Sequence, residues 1–166
     1  MAMRLGICFI AWSLLLADGR QACPVTKAPD SPFVPPAPYP AGPRRGGDWF
    51  LYGTPALWTG VYPDAWRVHG TGGSKMPYFR QGFDARVESH PDLTIMATRL
   101  DSPASVFRET LVSAANMNGP LSGTPEGMAI VTSVDIPTAG FWEIAAHYLP
   151  KTGKAETLTY TVWVEP

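Results

Sequence analysis

Residues 137–148 read Pro-Thr-Ala-Gly-Phe-Trp-Glu-Ile-Ala-Ala-His-Tyr (PTAGFWEIAAHY), a proline and a glycine opening onto an alternating aromatic and aliphatic run. Side chains two apart on a strand share a face. Trp142, Ile144, Ala146 and Tyr148 therefore form one row, and Phe141, Glu143, Ala145 and His147 form the other. The segments on either side repeat the period. Met128, Ile130, Thr132, Val134 and Ile136 precede it, and Leu158, Tyr160, Val162 and Val164 follow, alternating with Thr157, Thr159, Thr161 and Trp163. Three half-apolar strands separated by turns at 137–140 and 150–154 predict the closing strands of an antiparallel β-sandwich, with the Trp142 row as its core wall.

Further strand-like segments lie at 49–53, 56–62, 65–69 and 93–99, which brings the expected number to about seven over residues 48–166. Segment 102–118 is open: Ser102 before Pro103 suits the start of a short helix, and a loop or strand fits equally. The 18 prolines and 16 glycines suit short strands joined by turns, since proline inside a helix costs about 3 kcal/mol.

Ahead of the sandwich stand two segments of different character. Arg4 precedes an apolar run from Leu5 to Ala17, too short to span a bilayer and of the length of a secretory h-region, so residues 1–22 read as a signal peptide. Residues 23–47 read as a linker with eight prolines and almost no apolar periodicity. Such a chain is expected to be an extended, solvated spacer. Removal of the leader takes Cys8 and leaves Cys23 as the sole thiol, which excludes an internal disulfide framework. Two processing routes are open, cleavage after Ala17 and lipidation of Cys23, the latter against an imperfect lipobox with Arg20 and Gln21 before it.

Several fragments in order, ACPVT at 22–26, ALW at 56–58, KMPYFR at 75–80, DLTIMATRLDSPA at 92–104, PTAGFWEI at 137–144 and LTYTVWV at 158–164, resemble a group of exported bacterial proteins of unknown function. The C-terminal arrangement is also similar to bacterial immunoglobulin-like domains. The resemblance implies an all-β, antiparallel immunoglobulin-like sandwich behind a signal peptide and linker, secreted, periplasmic or at the cell surface. It departs from an antibody domain in lacking the inter-sheet cysteine pair.

The chemistry is defined mostly by what the chain lacks. A net charge of −1 gives no basic field for nucleic acid. There is no Gly-x-Ser-x-Gly elbow, and the glycine-rich 70–75 lacks Walker spacing. His69, His90 and His147 are scattered, and Glu143 and His147 lie about 13 Å apart on an extended strand, too far to share a metal ion. Asp84, Glu88, Asp92, Asp101 and Glu109 could serve as paired acids only if the fold brought two of them across a cleft. No catalytic, metal or cofactor residue is assigned. The candidate recognition surface comprises Lys75, Arg80, Arg99, Asp101 and Trp163, with Cys23 as a candidate lipidation site. Arg99 and Asp101 read first as a surface ion pair, and Trp163 as an aromatic on the polar face of the last strand. The expectation is a non-enzymatic binding or structural module of the cell envelope. Its partner would be a protein or glycan, and it would meet the membrane only through a lipid anchor. The alternatives are a small exported hydrolase and a periplasmic metal-binding protein.

Overall fold

The computed structural model describes residues 25–31, 33–40, 49–62, 66–68, 74–102, 106–109, 112–115 and 129–166. Residues 1–22, read above as a signal peptide, and Cys23 lie outside these. Among the described residues nine strands run β1 (Phe50–Thr54), β2 (Leu57–Val61), β3 (Ser74–Phe79), β4 (Asp92–Arg99), β5 (Val106–Glu109), β6 (Val112–Ala115), β7 (Ala129–Val134), β8 (Gly140–Leu149) and β9 (Glu156–Val164). They form two antiparallel sheets, ordered β1-β2-β3-β7-β6 and β5-β4-β8-β9. Set β1 aside, and β2 to β9 follow the order A-B-E-D against C′-C-F-G, the strand order of an immunoglobulin-type sandwich.

The Trp142 row is the core wall. Trp142, Ile144, Ala146 and Tyr148 are buried, and with Ile95, Tyr160 and Val162 they face Leu57, Val61, Tyr78 and Ile130 of the other sheet. An antibody domain ties its sheets with a disulfide; here the buried hydroxyls of Tyr78 on β3 and Tyr160 on β9 meet at 3.0 Å. Burial pushes both phenols well above the ordinary value of 10.0.

Departures from the expected strands have local causes. Segment 102–118 supplies β5 and β6, so the strand alternative is the one realised there. β3 carries Pro77, which has no N–H to donate. Its pairing with β2 is confined to Trp58↔Phe79 and Thr59↔Tyr78, while the Thr59 hydroxyl caps the Pro77 carbonyl at 2.8 Å. Of the expected strand at 65–69, the described residues 66–68 show a parallel bridge, Arg67 opposite Glu165. Trp66 is buried there, and Val68 N–H donates to the Glu165 carbonyl at 2.9 Å.

Where described, the proline-rich segment is docked at points along the sandwich, with residues 27–31 left exposed and a turn at 36–39 where Tyr39 N–H donates to the Pro36 carbonyl at 3.1 Å. Thr26 N–H donates to the Thr161 carbonyl at 2.9 Å, and Thr161 N–H donates back to Thr26 Oγ1 at 2.8 Å, along the open edge of β9. The chain then crosses to the outer face of the five-stranded sheet. Phe33 packs on Trp58 with centroids 5.5 Å apart, and Tyr39 meets Trp58 edge-on at 4.8 Å. These rings, with Leu51, Phe79 and Ala129, make a second apolar cluster on the side of the sheet away from the main core. Residues 25–40 thus form a strap that gives that sheet two covered faces.

Candidate functional site

The antiparallel connections gather at two ends. At one, the β3–β4 loop (80–91) lies beside the β8–β9 loop, joined by Lys151 Nζ donating to the Val87 carbonyl at 2.7 Å. Gln81 N–H reaches the Pro55 carbonyl of the β1–β2 turn at 2.9 Å.

The 80–91 loop is built around a buried carboxylate. Glu88 accepts the Tyr148 hydroxyl at 2.9 Å, and its second oxygen lies 3.8 Å from Arg80 Nη1. The Arg80 guanidinium sits 5.7 Å over the Tyr148 ring, and the Arg80 carbonyl accepts the Tyr39 hydroxyl from the strap at 2.7 Å. A carboxylate this enclosed is tolerable only with such partners. Burial pushes the Tyr148 hydroxyl up to about 12 against the opposing pull of Arg80. It does the same at Tyr39, again to about 12 and again opposed by the Arg80 charge. Both phenols therefore remain proton donors throughout the neutral range.

Within the loop, Asp84 accepts the Arg86 N–H at 2.9 Å and takes the Arg86 guanidinium on both its oxygens, at 3.1 and 3.2 Å. These bonds hold the Asp84 carboxyl below its usual range. Phe83 is fully buried and anchors the loop from beneath. The outcome is a held backbone that presents Val87 at 69% exposure.

At the other end, Arg99 Nε donates to Asp101 Oδ1 at 2.7 Å, and its Nη1 donates to Thr138 Oγ1 at 3.2 Å. Asp101 Oδ2 accepts the Phe141 N–H at 3.2 Å, and Trp142 Nε1 donates to the Thr138 carbonyl at 2.9 Å. Partial burial raises the Asp101 carboxyl, but the Arg99 and Phe141 bonds and the Arg99 charge outweigh it, and the net shift is downward. This clasp needs Gly140, whose φ is +142° and whose missing Cβ would stand 2.8 Å from both Asp101 oxygens. Beside the clasp, Leu100 N–H donates to the Phe141 carbonyl at 2.8 Å, and Phe141 lies opposite Trp163 with ring centroids 4.7 Å apart. Leu100, Phe141 and Trp163 thus make an apolar row across three neighbouring strands on the outward face, Leu100 40% and Trp163 37% exposed.

The five candidate recognition residues do not form one surface. Arg80 is an internal buttress at one end, and Arg99 and Asp101 clasp a turn at the other. Trp163 lies near that clasp on the outer face, and Lys75 pairs with Ser133 on β3, its side chain outside the described residues. His69 also lies outside them. His90 and His147 are exposed and bond Ser89 and Thr157, each at 3.0 Å. Among the described residues no three His, Cys, Asp or Glu side chains converge as metal ligands. A cleft of about 550 Å³ opens under the strap between Phe33, Leu51, Thr54 and Leu158, without a titratable acid or histidine in its lining. Sequence reasoning missed the strap and the Glu88 buttress. Phe33 and Tyr39, bulky rings in an otherwise solvated composition, were the available signal. No family model, curated protein or solved structure matches the chain.

Proposed function

We propose that the chain is an exported, non-enzymatic recognition module of the bacterial cell envelope, meeting a protein or glycan through its 80–91 loop. The observation that carries this reading is the buttressed backbone that holds Val87 out in solvent. Exposed apolar side chains on preorganised loops bind with little ordering cost, and function concentrates on such loops above a rigid scaffold. The exposed positions of His90 and His147, each bonded to a neighbouring hydroxyl, support the module over a hydrolase built on these histidines. The leader-like residues 1–22 and the resemblance to exported bacterial proteins support the location.

Photocrosslinking in the envelope tests it. The full chain with its own leader carries a benzophenone side chain at Val87 in one sample and at Val34, equally exposed on the strap, in another. A discrete adduct from position 87 and none from position 34 is expected. Equal, diffuse labelling from both would remove the reading.

A further inference from the structure

The apolar row at the clasp end has a defined distance from the N-terminal anchor. Thr26 is fixed to Thr161, and further along the strap Tyr39 is bonded to the Arg80 carbonyl at the opposite end of the sandwich, so the strap runs from the Thr161 position towards the 80–91 end. Its upstream end is therefore on the Trp163 side. Three residues separate Cys23 from Thr26, a contour of at most about 11 Å. Trp163 is two residues along β9 from Thr161, about 7 Å. A membrane holding Cys23 is thus brought to the end of the sheet where Leu100, Phe141 and Trp163 are displayed.

We propose that this row is a membrane-seating face, with Trp163, Phe141 and Leu100 resting in the interfacial region of the phospholipid bilayer that holds the N-terminal anchor. The inference rests on the reading above that the chain is exported, and on Cys23 as its attachment point. Tryptophan is suited to the headgroup level because its ring is apolar and its N–H is polar. Two ion pairs flank the row, Arg67 with Glu165 at 2.9 Å and Arg99 with Asp101 at 2.7 Å, so these charges meet the interface as pairs. Glu143, the next residue of that face, stands two residues further along β8, on the water side. The 80–91 loop, at the opposite end of the sandwich, then points away from the membrane.

The test uses the full chain with Cys8→Ser, coupled through Cys23 to a maleimide-headgroup lipid in vesicles of phosphatidylethanolamine and phosphatidylglycerol, with and without lipids brominated near the headgroup. The readout is the emission of the wild-type background minus that of Trp163→Phe, which isolates Trp163 from the other tryptophans. Coupling is expected to shift this difference emission to the blue, and shallow bromines are expected to quench most of it. Difference emission indifferent to bromine overturns the seating face. So does the same blue shift on a lipid-free maleimide surface, which would assign the row to a second copy of the chain. Intact mass of the protein isolated from its native envelope is read separately. An unmodified Cys23 there removes the anchoring reading, whereas unquenched coupled protein removes the face itself.

Discussion

Replacing Tyr39 separates a docked strap from a solvated tether. Tyr39 is buried, its ring 4.8 Å from Trp58 and 6.0 Å from Phe79, with its hydroxyl 2.7 Å from the Arg80 carbonyl. An aromatic side chain buries about 150–250 Å², which at about 25 cal/mol per Å² corresponds to roughly 4–6 kcal/mol. An unfolded chain already buries part of that area, which lowers the figure to about 3–4 kcal/mol, in the range of measured aromatic-to-alanine losses. Tyr39→Ala should therefore destabilise by about 3–4 kcal/mol, while Tyr39→Phe, losing only the hydrogen bond, should cost about 1 kcal/mol. The alanine value has a ceiling. Once the strap detaches the sandwich has nothing more to lose from it, so the measured loss is the smaller of the Tyr39 contribution and the docking free energy of the whole segment. Urea unfolding followed by tryptophan fluorescence gives both numbers, with the m-value as a check on two-state behaviour. A solvated tether predicts a change within about 0.5 kcal/mol. Tyr39→Ala within that margin at unchanged m would falsify the strap.

Other consequences follow from the same contacts. Tyr78→Phe or Tyr160→Phe alone strands the other buried hydroxyl and should cost about 1–3 kcal/mol, whereas the double variant should cost less than either; additive losses in the double-mutant cycle would show that the pair is not coupled. Tyr39 and Tyr148 have folded-state values of about 12 against an ordinary 10.0, so their contribution to stability is fully present below pH 10 and is lost as pH rises towards 12. Chemical denaturation at increasing pH should show that decline, and Tyr148→Phe should flatten it. Gly140→Ala forces a left-handed backbone on alanine and drives a methyl group into the Asp101 carboxylate, an expected loss of about 1–3 kcal/mol. Thermal melts of Gly140→Ala with and without Asp101→Ala should show the second substitution relieving part of the first.

The fold was legible in the sequence because its core obeys a strict period of two. Trp142 to Tyr148 and Leu158 to Val164 bury alternate residues along β8 and β9. β3 was illegible because Pro77 reads as a strand breaker, and only the cap from Thr59 and the early end of β2 pairing make it tolerable there. The strap was illegible because proline-rich composition describes solubility in isolation. Docking depends on Trp58 and Phe79 being displayed outward by a sheet that does not exist locally. The candidate residues divide the same way. Arg99 and Asp101, two apart on a strand end, were readable as an ion pair, but their partner Thr138 lies 39 residues away from Arg99. The Glu88 buttress joins positions 60 residues apart and has no local pattern at all.

The two bonds between Thr26 and Thr161 span 135 residues, close to the greatest separation the described chain allows. A ribosome or export channel delivers the first of these residues early and the second nearly last. During that interval Phe33 and Tyr39 can already reach Trp58 and Phe79, but Thr26 has no partner to hold it. Pinning of the strap's start therefore waits on the last strand: a molecule interrupted before β9 can seat Phe33 and Tyr39 on the sheet, but it lacks the two bonds that hold the segment's first residues to an edge.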